Sequence, residues 1–118
     1  MKNRTIAAWE DALLANDATS VTYRVPADHP AFEGHFPGNP ILPGIVQLRL
    51  FLLSANRLTG KEWKLKEVQR AKFLRPVLPG QTVTVKMNAK AWDQFEFTLL
   101  TPEGQIHTQA QLRLIPKC

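Results

Sequence analysis

With 118 residues, a formal net charge of +5 and 44% hydrophobic residues, the chain has the size of one domain around a single core, taken here as 1–118. Its longest strongly apolar run, Leu50-Phe51-Leu52-Leu53, is too short for a secretory core or a membrane span, and the lone cysteine, Cys118, leaves no internal disulfide, so a cytoplasmic protein is expected. The positive charge is dispersed, with Lys64, Lys66, Arg70 and Lys72 interleaved with Glu67, which argues against nucleic acid and leaves an acidic protein partner open.

Ile6, Trp9 and Leu13 recur at helical spacing behind Thr5 as N-cap, which predicts a short amphipathic helix over Thr5 to Asn16. Asn16 to Ser20 reads as a break. Val21, Tyr23 and Val25 then alternate with Thr22 and Arg24, the period of a half-buried strand that Pro26 ends. The loop from Pro26 to Leu42 is long for so small a unit, and ordered loops of that length are usually functional. Its core, Gly34 to Gly44, holds three prolines and three glycines in eleven residues. Proline fixes φ and glycine accepts angles closed to other residues, so the segment is rigid and tightly turned. His35 is the only side chain between those glycines that both accepts and donates a proton near neutral pH.

Pro43 suits a first helical turn, and nothing breaks the segment before Thr59-Gly60. Apolar residues from Ile45 to Leu58 surround this helix instead of forming one stripe, which predicts central burial or a covering partner. Strands follow. Trp63 and Leu65 keep one parity and Val68 shifts it, as a bulge would, before a second rigid turn at Arg75 to Gly80. Val83 to Ala91 alternate apolar and polar, Asp93-Gln94 reverses the chain, and Phe95, Phe97 and Leu99 continue the pattern. Thr101 to Gly104 fits a turn with Pro second and Gly last. Ile106, Thr108, Ala110, Leu112 and Leu114 form the inner face of a last strand, with His107 outward and solvated. The arrangement is α+β, a sheet wrapped on one buried helix.

Phe32-Glu33-Gly34-His35-Phe36-Pro37-Gly38-Asn39-Pro40-Ile41-Leu42-Pro43-Gly44, together with Phe73-Leu74-Arg75-Pro76-Val77-Leu78-Pro79-Gly80, resembles the 3-hydroxyacyl-[acyl-carrier-protein] dehydratases of the hot-dog fold, and the chain is similar to their aryl-polyene-type branch. The resemblance implies a curved antiparallel sheet around a long central helix and a homodimer or larger even oligomer with substrate tunnels at the interface. It implies that an acyl carrier protein delivers a phosphopantetheine-linked 3-hydroxyacyl chain, that water is eliminated to a 2-enoyl thioester, and that no cofactor takes part. His35 would be the acid/base and the Gly44 N–H would face the thioester carbonyl. Phe36, Pro37, Gly38, Pro43 and Arg49 would contact substrate.

One position departs from the pattern. The family carries a carboxylate five residues after the helix glycine, and here that residue is Arg49, with Gln47, Ser54 and Asn56 nearby and no acid. Arginine stays protonated, so it donates hydrogen bonds and is a poor proton donor. Three readings are open: a structural ion pair across the dimer or with Glu33 or Asp28; a substrate carboxylate or phosphate bound by Arg49; or lost catalysis, the chain serving as a binding module or as half of a heteromer with an active homologue. Thioester hydrolysis is the enzymatic alternative, since a fold alone does not choose a reaction. His29 belongs to a turn, Asp28, His29, Glu33 and His35 match no common metal spacing, and Met87, Trp92 and Phe95 read as core or sheet residues.

Overall fold

The computed structural model describes Trp9, residues 12–32 and residues 41–117. In chain order these form β1 (Leu13–Asn16), β2 (Ser20–Arg24), a 3₁₀ turn (Pro30–Phe32), α1 (Gly44–Thr59), β3 (Trp63–Phe73), β4 (Thr82–Ala89), β5 (Gln94–Leu100) and β6 (Ile106–Pro116). The six strands make one sheet in the order β1-β2-β4-β5-β6-β3, antiparallel at every pairing. The chain therefore leaves β2, runs through α1 to the far edge as β3, and returns by the β4–β5–β6 meander.

The expected helix over Thr5 to Asn16 is corrected in its second half. Trp9 is helical, but Leu13–Asn16 is a strand paired with β2. The reason is the turn that follows. Asp17 Oδ1 accepts hydrogen bonds from the Thr19 and Ser20 N–H groups at 2.9 and 2.8 Å, reversing the chain so that β1 folds onto β2. Such Asx turns compete with helix for the same backbone. The Thr5 cap lies outside the described residues.

α1 runs as expected, from Pro43 as N-cap to Gly60, whose φ of 70° closes the helix through a hydrogen bond from its N–H to Asn56 O at 3.0 Å. Its inner face buries Leu48, Leu50, Phe51 and Ala55, and the Phe51 ring stacks on Phe97 of β5 with centroids 5.1 Å apart. Ser54 donates to Leu50 O and accepts from the Tyr23 hydroxyl, so both buried hydroxyls are satisfied. Burial pushes the Tyr23 phenol above its ordinary pKa, against the opposing pull of the Ser54 bond. Val21, Val83, Val85, Leu99, Leu112 and Leu114 complete the core with no exposed surface. The other side of α1 is open: Ile45 is 59% exposed and Arg49 is exposed.

β3 contains the bulge inferred at Val68 and a second one. Its register against β6 slips between Leu65 and Glu67 and again between Val68 and Arg70. The turns at Gly80 (φ 80°) and Gly104 (φ 90°) are where the sequence puts them, and Gly104 N–H donates to Thr101 O at 3.0 Å. Three placements differ. The β4 alternation stops at Ala89, and Ala89 and Ala91 are exposed. Trp92 is 76% exposed, because the bend after Ala89 turns its ring off the sheet. His107 is fully buried rather than solvated, since the chain after β3 folds across it: Leu74 and Arg75 N–H groups donate to His107 O at 2.8 and 3.1 Å.

Candidate functional site

The site forms where the helix begins. Pro43 sits at the N-cap with φ −61° and ψ 149°, and Gly44 opens α1. No side chain caps this end and no acid lies in its first turn. Val46 and Gln47 N–H groups donate to Pro43 O at 3.1 and 3.2 Å, whereas the Gly44 and Ile45 N–H groups have no partner among the described residues. The first N–H groups of a helix have no acceptor within it, and they carry the positive end of its dipole.

Gly44 lies at a close approach. A β-carbon there would lie 2.7 Å from Cζ of Phe73 and 2.9 Å from Cε1. The end of β3 thus packs its aromatic ring on the bare backbone at the start of α1. Ahead of the helix, Leu42 is buried and held at both backbone groups. Its N–H donates to Val77 O at 2.8 Å, and its carbonyl accepts from Gln47 Nε2 at 3.1 Å. Gln47 Oε1 in turn accepts a short hydrogen bond from the buried Thr108 hydroxyl. The amide therefore pins the entry loop to both the helix and β6.

Between these parts lies a cleft of about 660 Å³, lined by Ile41 to Gly44, Gln47 and Phe73 to Pro76. The lining is largely apolar, with the Arg75 side chain exposed at the end of β3. The two sequence stretches singled out, with Gly44 and Phe73 29 positions apart in the chain, both line this cleft. Pro43 and Gly44 are at its head. His35, Phe36, Pro37 and Gly38 lie outside the described residues, as does Glu33. Arg49 stands roughly 7.5 Å further along the helix axis. It is exposed and makes no ion pair or hydrogen bond among the described residues, Asp28 included. Among the described residues no group of three or more His, Cys, Asp and Glu side chains is placed to hold a metal.

Sequence reasoning passed over Gln47, Thr108 and Phe73 as parts of the site. A signal existed for two of them. Thr108 is a hydroxyl on an otherwise apolar strand face, and Gln47 an amide in an apolar helix; buried polar side chains of that kind have partners.

Among the described residues, a long central helix held against a six-stranded antiparallel sheet, with a cleft at the helix N-terminus, defines a hot-dog protein. The chain belongs to the ApeI-like family, described as ApeI dehydratase, whose profile matches residues 12–111. This is the aryl-polyene-type branch of the resemblance. Among curated relatives, the 3-hydroxyacyl-[acyl-carrier-protein] dehydratase FabZ of Aliarcobacter butzleri is 34% identical over 95 residues, 70% of this chain and 63% of that enzyme. FabZ of Haemophilus influenzae is 34% identical over 99 residues, 75% of this chain and 67% of that enzyme. This chain thus spans less than two thirds of the Aliarcobacter enzyme. Of solved structures, the dehydratase heterocomplex ApeI:P from Xenorhabdus doucetiae matches with a TM-score of 0.73 at 24% identity, over 86% of this chain and 92% of that one. An uncharacterized protein from Erwinia carotovora subsp. atroseptica matches with a TM-score of 0.67 at 26% identity, over 88% and 90%.

Proposed function

We propose that the chain acts on 3-hydroxyacyl thioesters carried by an acyl carrier protein, removing water to give the 2-enoyl thioester. The observation that carries this reading is the convergence of the two motif stretches on one apolar cleft at an uncapped helix N-terminus, in a chain of the ApeI-like family. In the reaction the C2–H and C3–O bonds break, the C2=C3 bond forms and water leaves. His35 takes the C2 proton. The Gly44 N–H meets the thioester oxygen as negative charge develops there, with the helix dipole behind it. Phe36, Pro37, Gly38 and Pro43 bound the acyl path. The positive net charge suits an acidic carrier protein.

The leaving hydroxide needs a proton donor, and Arg49 is a poor one. A second reading therefore has a partner chain supply the carboxylate. Two observations favour it: Arg49 is exposed without an acid beside it among the described residues, and the Xenorhabdus relative is a dehydratase heterocomplex. Family membership favours dehydration over thioester hydrolysis.

The test is to incubate the purified chain with 3-hydroxyacyl carrier protein and follow enoyl product. His35→Ala should lower the rate by ~10²–10⁴. Equal rates for the chain and the variant would overturn the assignment of His35, and release of free thiol in place of enoyl product would move the reading to hydrolysis. Activity that emerges only when a second dehydratase-like chain is added would select the heteromer.

A further inference from the structure

A second cavity, of about 600 Å³, opens at the other end of α1. Asn56, Arg57 and Gly60 line it, so it lies roughly 18–24 Å along the helix axis from Gly44. Small-molecule sites commonly measure about 300–1,000 Å³. Three aromatic walls come from separate parts of the chain: Trp9, Tyr23 of β2 and Trp63 of β3. The Trp9 and Tyr23 rings meet edge to face with centroids 5.7 Å apart, and Trp63 packs edge to face on Phe95 at 5.2 Å. The Trp63 indole N–H donates to Thr59 Oγ1 at 2.8 Å and the Tyr23 hydroxyl is bonded to Ser54. Those two side chains therefore offer a ligand ring surface rather than donors.

The donors come from the rest of the lining. Arg57, Lys61 and Lys117 stand there beside one acid, Glu62. The Lys117 N–H donates to Glu62 O at 2.9 Å, which ties the segment after β6 to the loop after α1 and brings the third cation to the cavity. The Lys61 and Lys117 ammonium groups and the Glu62 carboxylate make no ion pair among the described residues. Asn56 Oδ1 accepts the Trp63 backbone N–H at 2.8 Å, and the Asn56 Nδ2 hydrogens have no acceptor among the described residues. A basic residue in the last turn serves the negative end of a helix, and that accounts for Arg57. It does not account for Lys117, which follows β6, or for unspent donors gathered over aromatic walls.

We propose that this cavity binds a small planar aromatic carboxylate, its ring among Trp9, Tyr23 and Trp63 and its carboxylate at Arg57, Lys61 and Lys117. Guanidinium and ammonium donors form charge-assisted hydrogen bonds with such a group, and the aromatic walls cover its flat body. Binding there is independent of dehydration at the cleft, so it is read without substrate.

The probe is 2-naphthoate, added to the full chain and followed by proton–nitrogen correlation NMR of the indole N–H groups. The chain has three tryptophans, and Trp92, 76% exposed, does not line the cavity. The Trp9 and Trp63 signals are expected to shift along one saturation curve with a dissociation constant at or below about 1 mM, while Trp92 stays in place. The uncharged isostere 2-naphthalenemethanol should bind at least about tenfold more weakly, and so should 2-naphthoate to Lys61→Gln/Lys117→Gln. Both lysines are exposed, so the double variant should fold as the wild type does. The absence of a saturable shift at Trp9 and Trp63 up to about 5 mM would overturn the proposal. Equal affinity for the alcohol, or an affinity untouched by the lysine substitutions, would overturn it by leaving the cations without a ligand. A Trp92 shift as large as the other two would mark unspecific binding, and loss of the Trp9 and Trp63 shifts in Phe73→Ala would put the probe in the helix N-terminal cleft; either result would also overturn it.

Discussion

Gly44 and Phe73 occupy what would otherwise be one volume, with 2.7 Å between the aromatic Cζ and the place of a β-carbon. Phe73 is half exposed, so its ring can swing outward. Gly44→Ala is therefore expected to change stability by no more than about 1 kcal/mol, the scale of the Gly/Ala helix difference. On the proposed reading, in which the ring bounds the reacting carbonyl, dehydration should nevertheless fall by roughly 10². Adding Phe73→Ala should leave stability near that of the single variant without recovering the rate, and steady-state kinetics beside thermal melts separate the two effects. Gln47 presents the opposite case. It is buried, and Gln47→Leu would strip both the Leu42 carbonyl and the Thr108 hydroxyl of their partner. Each buried group left unsatisfied costs about 1–3 kcal/mol, so urea denaturation should show a loss in that range or above it. Thr108→Val in the same background should recover part of it, since one orphan is then removed.

At the scale of elements, the β1–β2 hairpin depends on one carboxylate. Acceptance of the Thr19 and Ser20 N–H groups holds Asp17 below its ordinary pKa. A folded-state pKa that is depressed gives stability fully present above the unfolded value of about 3.9, and that stability is lost as pH falls through the folded value. Asp17→Ala should raise amide exchange at Thr19 and Ser20 at neutral pH, and the difference from wild type should shrink as pH falls below the ordinary carboxylate range and the Asp17 carboxylate takes up its proton. This turn also explains where the sequence was misread. Ile6, Trp9 and Leu13 have helical spacing, but the signal that ends the helix is a single Asx turn several residues later, which periodicity does not see. The strands from Thr82 to Leu114 were legible because an antiparallel sheet with one wet face writes its period into the chain. His107 broke that rule: its burial comes from the segment after β3 crossing a nominally outer face, a contact between residues over thirty apart.

For the whole molecule, the architecture followed from pattern, while the site was legible mainly as chemistry-bearing loops. Nothing in the order of residues says that Phe73 reaches Gly44, since the two are brought together only by closure of β3 across the far edge of the sheet. The same limit applies to Arg49. The sequence shows a charge in an apolar helix and implies a cost of burial; the fold removes that cost by leaving its side of α1 open.

The two extra residues in β3 also bear on shape. Eleven residues of β3 lie beside the nine positions from Thr108 to Pro116 of β6, so the edge strand has about 6–7 Å more contour than its neighbour. Unequal path lengths in adjacent lanes mean a bend, as on the outside of a curved track. Lys66 and Gln69, which make no contribution to the apolar core, are therefore the slack that lets the last strand arch toward α1 and bring Phe73 onto Gly44.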